Sequence, residues 1–298
     1  MMMKKILFIC VSLLFPLTII AQASGDQIRR SNKQTPITNK PSLRKRQSVS
    51  KKLEGYSKSL LKNISVTVNG ITFTMIGVQG GEFKAGNDHY DNPVRKIAVS
   101  SFYIAETEVS QALWESIMGY NPSKWIHKDY PVGNVSWNEC KEFITKLNNV
   151  TNMNFRLPTD AEWEFAAKGG NLSQGYDYSG SNNLSDVAWT GYNIETLKSR
   201  RLNELGIYDM CTPIKEWCND IYDPEYYNHL DGTVNPQGAS SGELRVLRVT
   251  DIKDRSAEFR NKKLSCVAFA LLFQSNAHEV SDSIKNNNHK IKIIYSSL

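Results

Sequence analysis

The stretch Asn154-Phe-Arg-Leu-Pro-Thr-Asp-Ala-Glu-Trp-Glu-Phe-Ala-Ala-Lys-Gly-Gly170 decides the fold of this chain. Within it, Thr159 and Glu162 have the spacing of a capping box, in which each side chain satisfies a free backbone N–H at a helix start. Trp163 and Ala166 then fall on one face, and two glycines end the helix. The sequence therefore predicts a short, sharply bounded helix, which by itself carries no chemistry.

A second stretch completes the pattern: Asn203-Glu-Leu-Gly-Ile-Tyr-Asp-Met210, followed by Lys215-Glu-Trp217. Together the two stretches resemble the formylglycine-generating enzyme (sulfatase-modifying factor) family, and shorter matches run from about Gly80 to Gly242. The resemblance implies an α+β fold that is C-type-lectin-like and has little regular secondary structure. The many Gly, Asn, Ser and Trp residues agree with such a fold.

Other local patterns predict short elements before the signature. They are a hairpin from Ile64 to Met75 with an Asn69-Gly70 turn, strands at 76–83 and 97–104, a helix capped by Ser110 that ends at Gly119, and a helix that begins with a Ser136/Glu139 capping box.

Charge and hydropathy divide the chain into four predicted parts. They are a signal peptide at 1–23, a basic disordered linker at 24–63, the domain at 64–273 and a polar C-terminal extension at 274–298. The apolar run of the signal is shorter than the roughly 20 residues of a membrane span, so no transmembrane segment is expected. We therefore expect a secreted protein, periplasmic or extracellular.

The basic linker carries eleven Lys and Arg residues against two acidic ones, so the rest of the chain is mildly acidic although the net charge is +6. Few apolar residues interrupt the linker, and it cannot bury enough surface to offset the entropy of ordering. A basic stretch of this kind binds anionic surfaces or nucleic acid. Export makes nucleic acid an unexpected partner.

Active members of the family oxidise a substrate cysteine with copper held by two cysteines, and the resemblance implies where that pair should stand. After Arg248 the family continues Gly-Gly-Ser-Trp, whereas this chain continues Val249-Thr-Asp-Ile-Lys-Asp-Arg255. In the family, an Arg-Val-Leu-Arg motif precedes this segment and an Arg-Val-x-x-Arg motif follows it. Either the segment is substituted in place, or it is deleted and Arg248-Val249 belongs to the second motif. Both alternatives leave no cysteine at the two positions. Because soft thiolates select Cu(I), copper is not expected here.

The resemblance also implies a calcium-binding turn made of Asp209, Thr212, Ile214 and Glu216. The two end carboxylates are hard oxygen donors suited to Ca²⁺, and the two middle residues would offer backbone carbonyls. Thr212-Pro213 replaces the Gly-Asn of the family, and Pro fixes φ where Gly turns freely. An end-capped turn without metal is the alternative.

The leading hypothesis is a non-catalytic, exported module that binds an unknown protein or glycan ligand. A divergent formylglycine-generating oxidase that uses Cys211 and Cys218 is the second hypothesis, and these two cysteines are also a possible disulfide. A decaying gene is the third.

Overall fold

A computed structural model of the chain describes residues 61–86, 94–189, 194–248, 255–259, 267–273 and 291–295. These residues belong to one compact unit, Lys52–Leu298. The predicted signal and nearly all of the predicted linker lie outside the described residues. In the described ranges no helix is long and apolar enough to cross a membrane.

Short strands and helices alternate along the unit, which confirms the predicted α+β class. The strands are β1 (Ile64–Val68), β2 (Ile71–Val78), β3 (Gly81–Ala85), β4 (Arg95–Val99), β5 (Phe102–Ala105), β6 (Phe155–Arg156), β7 (Lys215–Ile221), β8 (Leu244–Arg248), β9 (Arg255–Phe259), β10 (Val267–Ala268), β11 (Leu272–Phe273) and β12 (Ile291–Tyr295). The helices are α1 (Gln111–Met118), α2 (Trp137–Thr151), α3 (Asp160–Ala167) and α4 (Leu184–Val187), with 3-10 turns at Gly170–Leu172 and Pro224–His229.

Two main sheets organise the unit. The larger sheet has the strand order β12-β1-β2-β5-β11-β6, and the smaller one has the order β10-β7-β8-β9, with β3 and β4 as a separate pair. Two buried apolar clusters accompany them: one contains α1, α2 and the hairpin, and the other surrounds α3. Each sheet therefore packs against helices, as expected for this class.

The predicted hairpin is confirmed. β1 and β2 pair antiparallel from Ile64–Met75 to Val68–Ile71. Asn69 and Gly70 form the turn with φ of 49° and 81°, the left-handed conformation that Asn and Gly adopt most readily.

The two predicted strands at 76–83 and 97–104 are each broken in two, because the chain leaves one sheet for another at both places. Gly80 permits the first break, since a Cβ there would lie 2.4 Å from the Val99 carbonyl oxygen. Its N–H bonds to Ser101 Oγ at 3.0 Å, which ties the two breaks together. Alternating polarity alone does not reveal such a change of sheet.

All three helix starts are confirmed. Ser110 accepts from the Leu113 N–H, and capping boxes close at Ser136/Glu139 and Thr159/Glu162. The sequence predicted one buried face for α3, whereas the structure buries all eight of its residues. Its three acidic side chains are accommodated by ion pairs: Arg156–Glu162 at 2.7 Å, Lys168–Glu164 at 2.5 Å and Arg248–Asp160 at 2.5 Å.

Part of the predicted C-terminal extension belongs to the sheet. β12 pairs antiparallel with β1, from Tyr295 opposite Ile64 to Ile291 opposite Val68. The first strand of the domain is thus an interior strand. The apolar run at 291–295 forms this strand. The sequence analysis did not predict the strand, because the run follows a polar, Asn- and Lys-rich stretch.

Candidate functional site

The predicted calcium turn is a buried loop that leads into β7. Asp209 adopts a φ of 62°, and its Oδ2 accepts from the Lys198 N–H at 2.8 Å. Thr212 and Ile214 are 2% and 5% exposed, and Glu216, the second residue of β7, is 3% exposed. The structure therefore brings all four predicted residues together in the interior of the protein.

A fifth residue joins them that the sequence prediction missed. Glu108, between β5 and α1, is 4% exposed and its Oε1 lies 3.4 Å from Thr212 Oγ1. The charges of Asp209 and Glu216 act on this carboxyl. Spacing along the chain gives no signal for this contact, because Glu108 and Thr212 are 104 positions apart.

Burial dominates the electrostatics of this acidic cluster of Glu108, Asp209 and Glu216. Loss of hydration raises the pKa of Asp209 to about 6 and that of Glu216 to about 8. Burial, and then the two neighbouring charges, raise the pKa of Glu108 well above its usual range. Three carboxyl groups packed out of water disfavour their own ionisation.

Two members of the acidic cluster keep one oxygen without a hydrogen-bond partner, Glu108 Oε2 and Asp209 Oδ1, whereas Glu216 faces the indole N–H of Trp163, which lowers its pKa. Buried polar atoms are seldom left in this state, because an unsatisfied group loses its hydration without replacement. No three His, Cys, Asp or Glu side chains in the described ranges are arranged as a metal-binding group. A hard cation such as calcium would need backbone carbonyls in addition to these carboxylates, because it takes about six to eight oxygen ligands.

The described cysteines lie in the core rather than in a cleft. Cys140, Cys211 and Cys218 are fully buried and none of them forms a disulfide, so the considered Cys211–Cys218 link is absent from the described residues. Burial raises the pKa of Cys218 well above its usual value, and nearby Asp160 and Asp220 raise it further. Burial likewise raises the pKa of Cys140. Such thiols stay protonated, which disfavours metal binding and nucleophilic attack. Cys10 and Cys266 lie outside the described residues.

Arg248, the last residue before the sequence departs from the expected copper segment, has a structural role: it links β8 to α3, and we call this contact the Arg248 clamp. Arg248, at the end of β8, is fully buried, and its guanidinium contacts Asp160 Oδ1 at 2.5 Å and Glu164 Oε2 at 2.7 Å. Trp163 lies beneath it, with the ring centre 5.3 Å from the guanidinium carbon. Arg248 therefore joins β8 to α3. Val249 is outside the described residues, so the choice between substitution and deletion stays open.

The fold and these residues define a class, and comparison with known proteins agrees with it. The sulfatase-modifying factor enzyme 1-like domain matches residues 67–265, so the chain belongs to this family of formylglycine-generating-enzyme-like proteins. Among solved structures, the Treponema denticola variable protein 1 has the same fold, with a TM-score of 0.66, 26% identity, and coverage of 72% of this chain and 99% of that one.

Individual relatives carry different names. The chain is 31% identical over 222 residues to the chaperone protein LppX of Paenibacillus barcinonensis, a match covering 56% of this chain and 77% of that protein. It is also 31% identical over 157 residues to the formylglycine-generating enzyme of Streptomyces coelicolor, covering 47% of this chain but only 48% of the enzyme. Family membership therefore does not by itself assign an activity.

Proposed function

We propose that this protein is an exported, non-catalytic member of the family that acts as a binding or structural module for a protein or glycan ligand. One observation carries the proposal: the signature stretches of the scaffold are intact, whereas no cysteine stands at either copper position after Arg248. The thiols at Cys211 and Cys218 do not replace them, because both are enclosed in the core. A copper ion held by two thiolates needs accessible, ionised sulfur.

The experiment that tests this proposal is a direct assay for the family's product. Purified protein is incubated with Cu(I), oxygen and a peptide that carries a sulfatase-type cysteine, and the peptide mass is followed. The Streptomyces coelicolor enzyme in the same buffer is the positive control. We expect no change in peptide mass with this protein. Formation of the aldehyde would overturn the proposal in favour of the divergent oxidase.

Calcium would be held by the acidic cluster in this proposal. Asp209 and Glu216 would supply side-chain oxygens, Thr212 and Ile214 would supply backbone carbonyls, and Glu108 would add a third carboxyl group next to the site. Once bound, the ion would supply the positive charge that these buried carboxylates otherwise lack. The role of the ion would be structural: it would hold the loop that leads into β7 and would take no part in redox chemistry.

Export rests on the sequence of residues 1–23, with Lys4 and Lys5 before an apolar run and Ala21-Gln22-Ala23 at its end. The test is fractionation of cells that produce the full chain and a variant without these residues. We expect the full chain outside the cytoplasm, shortened by the mass of the signal. Recovery of the uncut chain from the cytoplasm would remove export from the proposal.

A further inference from the structure

A cavity of about 370 Å³ opens between the β1–β2 hairpin and α1. Its walls are β2 from Ile71 to Thr74, the connection between β5 and α1, and the first turn of α1. Two loops complete it with residues 128–129 and 197–198. Small-molecule sites in proteins measure roughly 300–1,000 Å³, so this cavity has the size for one small ligand.

One buried amide holds the rim of the cavity in place. Gln111 in α1 is 2% exposed, and its Nε2 donates to the carbonyls of Trp125 at 2.8 Å and Pro131 at 3.2 Å. Its Oε1 accepts from the His127 N–H at 3.1 Å. The backbone is therefore fixed on both sides of residues 128–129. A wall that is ordered before a ligand arrives lowers the cost of binding.

The backbone donors at the start of α1 are already used. The Ala112 N–H donates to the Lys128 carbonyl at 3.1 Å, and the Leu113 N–H donates to Ser110 Oγ at 3.1 Å. A helix start attracts an anion through N–H groups that point at the ligand. Here those groups are bonded within the protein, so this part of the wall is not arranged for an anion.

Two ion pairs belong to the wall. Glu106 Oε2 lies 2.6 Å from Lys198 Nζ, and Lys128 Nζ lies 2.9 Å from Asp129 Oδ2. The Leu197 N–H donates to the Asp129 carbonyl at 2.9 Å, so the two loops that carry the lysines are joined. The four charges cancel, which favours an uncharged ligand over an anion or an amine.

Glu108 contributes to the wall as well, but its carboxyl belongs to the acidic cluster. The residue is 4% exposed, its Oε1 lies 3.4 Å from Thr212 Oγ1, and its Oε2 is buried. A ligand in the cavity therefore meets the backbone of Glu108 and not its carboxyl oxygens.

An intact ion pair places a hydrogen-bond donor beside an acceptor. The ammonium of Lys198 only donates and the carboxylate of Glu106 only accepts, whereas a hydroxyl does both. Two neighbouring hydroxyls of a ligand can therefore bond to this pair without separating it. Half-buried Phe73 and Leu197 add apolar surface for the C–H face of a ring. Hydroxyl residues also belong to the wall: Thr72, Thr74, Thr107 and Ser110.

We propose that this cavity binds one neutral sugar residue, with neighbouring hydroxyls on the Glu106–Lys198 pair. The volume lies at the small end of the range for ligand sites, which suits a single ring. The cancelled charges and the mixture of donors and acceptors suit a ligand that is rich in hydroxyls and carries no charge. The inference rests on the proposed function as a binding module and names the class of its ligand, an uncharged saccharide.

The test is saturation-transfer NMR of the purified protein with four neutral sugars: D-glucose, D-galactose, D-mannose and N-acetyl-D-glucosamine. The corresponding uronic acids and amino sugars are the charged probes. We expect at least one neutral sugar to bind, and its charged counterparts to bind more weakly, because each brings a charge that the cavity does not balance.

Variants locate the binding. Glu106→Ala/Lys198→Ala should weaken it by about tenfold or more, since hydrogen bonds to charged groups are lost. Glu142→Ala/Lys146→Ala is the matched control, because it removes an ion pair of 2.9 Å on α2, outside the cavity wall. The control should bind like the unchanged protein. Ala112→Phe fills the cavity from α1 and should abolish binding. Urea unfolding shows which variants keep the fold, and Lys198→Ala alone replaces the double variant if that one does not.

Three results overturn the inference. They are the absence of binding by every neutral sugar, tighter binding of a charged counterpart, and unchanged binding by folded variants of the ion pair and of Ala112. None of these results depends on the aldehyde assay. Failure to bind a sugar in this cavity would leave the non-catalytic module in place with a different ligand, whereas formation of the aldehyde would overturn the proposed function whatever the cavity binds.

Discussion

Replacing Glu216 by Gln should stabilise the calcium-free protein at pH 8. The carboxyl of Glu216 is fully buried, and burial raises its pKa from 4.5 to about 8. The unfolded chain therefore releases this proton near pH 4.5, whereas the folded protein holds it until about pH 8. Because the folded state binds the extra proton in this window, its stability falls as the pH rises from 4.5 to 8.

The magnitude follows from the pKa values. One pKa unit corresponds to about 1.4 kcal/mol, so the change from 4.5 to about 8 amounts to about 5 kcal/mol of lost stability at and above pH 8. Gln has nearly the same shape and no charge, so Glu216→Gln removes this loss. The raised pKa of Asp209 acts in the same direction, whereas the pKa of Glu108 falls in the variant because the charge of Glu216 is one cause of its rise. The difference between variant and unchanged protein therefore reports Glu216 together with its effect on Glu108.

The assay is urea unfolding followed by tryptophan fluorescence, at pH 5 and pH 8, in a metal chelator and again in millimolar calcium. Without calcium we expect the variant to be markedly more stable than the unchanged protein at pH 8 and similar to it at pH 5. Calcium should stabilise the unchanged protein at pH 8 and the variant much less, because a ligand stabilises the state that binds it. Glu115→Gln, an exposed change on α1, is the control and should have no effect.

Two outcomes would refute this reasoning. If the variant is equally destabilised at both pH values without calcium, Glu216 is not a desolvated carboxylate. If calcium stabilises variant and unchanged protein alike, the ion does not use Glu216. The calcium proposal would then be withdrawn, whereas the assignment of the family would be unaffected.

Three further predictions concern the scaffold. Arg248→Ala leaves the carboxylates of Asp160 and Glu164 buried without their partner and should lower the free energy of unfolding by about 3–5 kcal/mol, measured in urea; a loss near zero would mean that the clamp is dispensable. Thr159→Ala removes one arm of the capping box and should cost about 1 kcal/mol in the same assay. Cys218 should react with an aromatic disulfide reagent only as fast as the protein unfolds, because its thiol is buried and its pKa is raised. Rapid labelling of the folded protein would contradict the enclosed position of this thiol.

The sequence predicted the features that are decided by neighbouring residues. The Asn69-Gly70 turn and the two capping boxes depend on residues at most three apart, and all of them are present in the structure. The α+β class followed from the resemblance of the two signature stretches to the family, and the short strands and capped helices read from local patterns agreed with it. The four residues named for the calcium turn lie within eight positions and are all buried, and calcium binding by them stays a prediction.

The features that the sequence did not reveal depend on distant residues. Glu108 meets Thr212 across 104 positions, and Arg248 meets Glu164 across 84. Gln111 is a polar residue at a helix start, where a role on the surface is expected, yet it is buried because the following loop needs its hydrogen bonds. In each of these cases the partner is fixed by the packing of the sheets and not by spacing along the chain.

The position of the signature residues explains why family membership does not by itself assign an activity to this chain. All eight residues of α3 are buried, Trp163 lies under the Arg248 clamp, and Trp217 is fully buried with its indole N–H donating to the Val135 carbonyl at 3.2 Å. The signature residues therefore act mostly through packing and ion pairs. These contacts stabilise the fold whether or not a catalytic site is present.

A pair of copper-binding thiols makes no such contribution to this scaffold. β8 is held by Arg248, by Val246 and Leu247 in the two apolar clusters, and by pairing with β7 and β9 on either side. None of these contacts involves a cysteine at the two positions after Arg248, so the core does not depend on a thiol pair there. A strong match to the signature consequently measures retention of the fold. Function in this family has to be assigned from the segment after β8 and from the exposed loops, where packing does not dictate the residue.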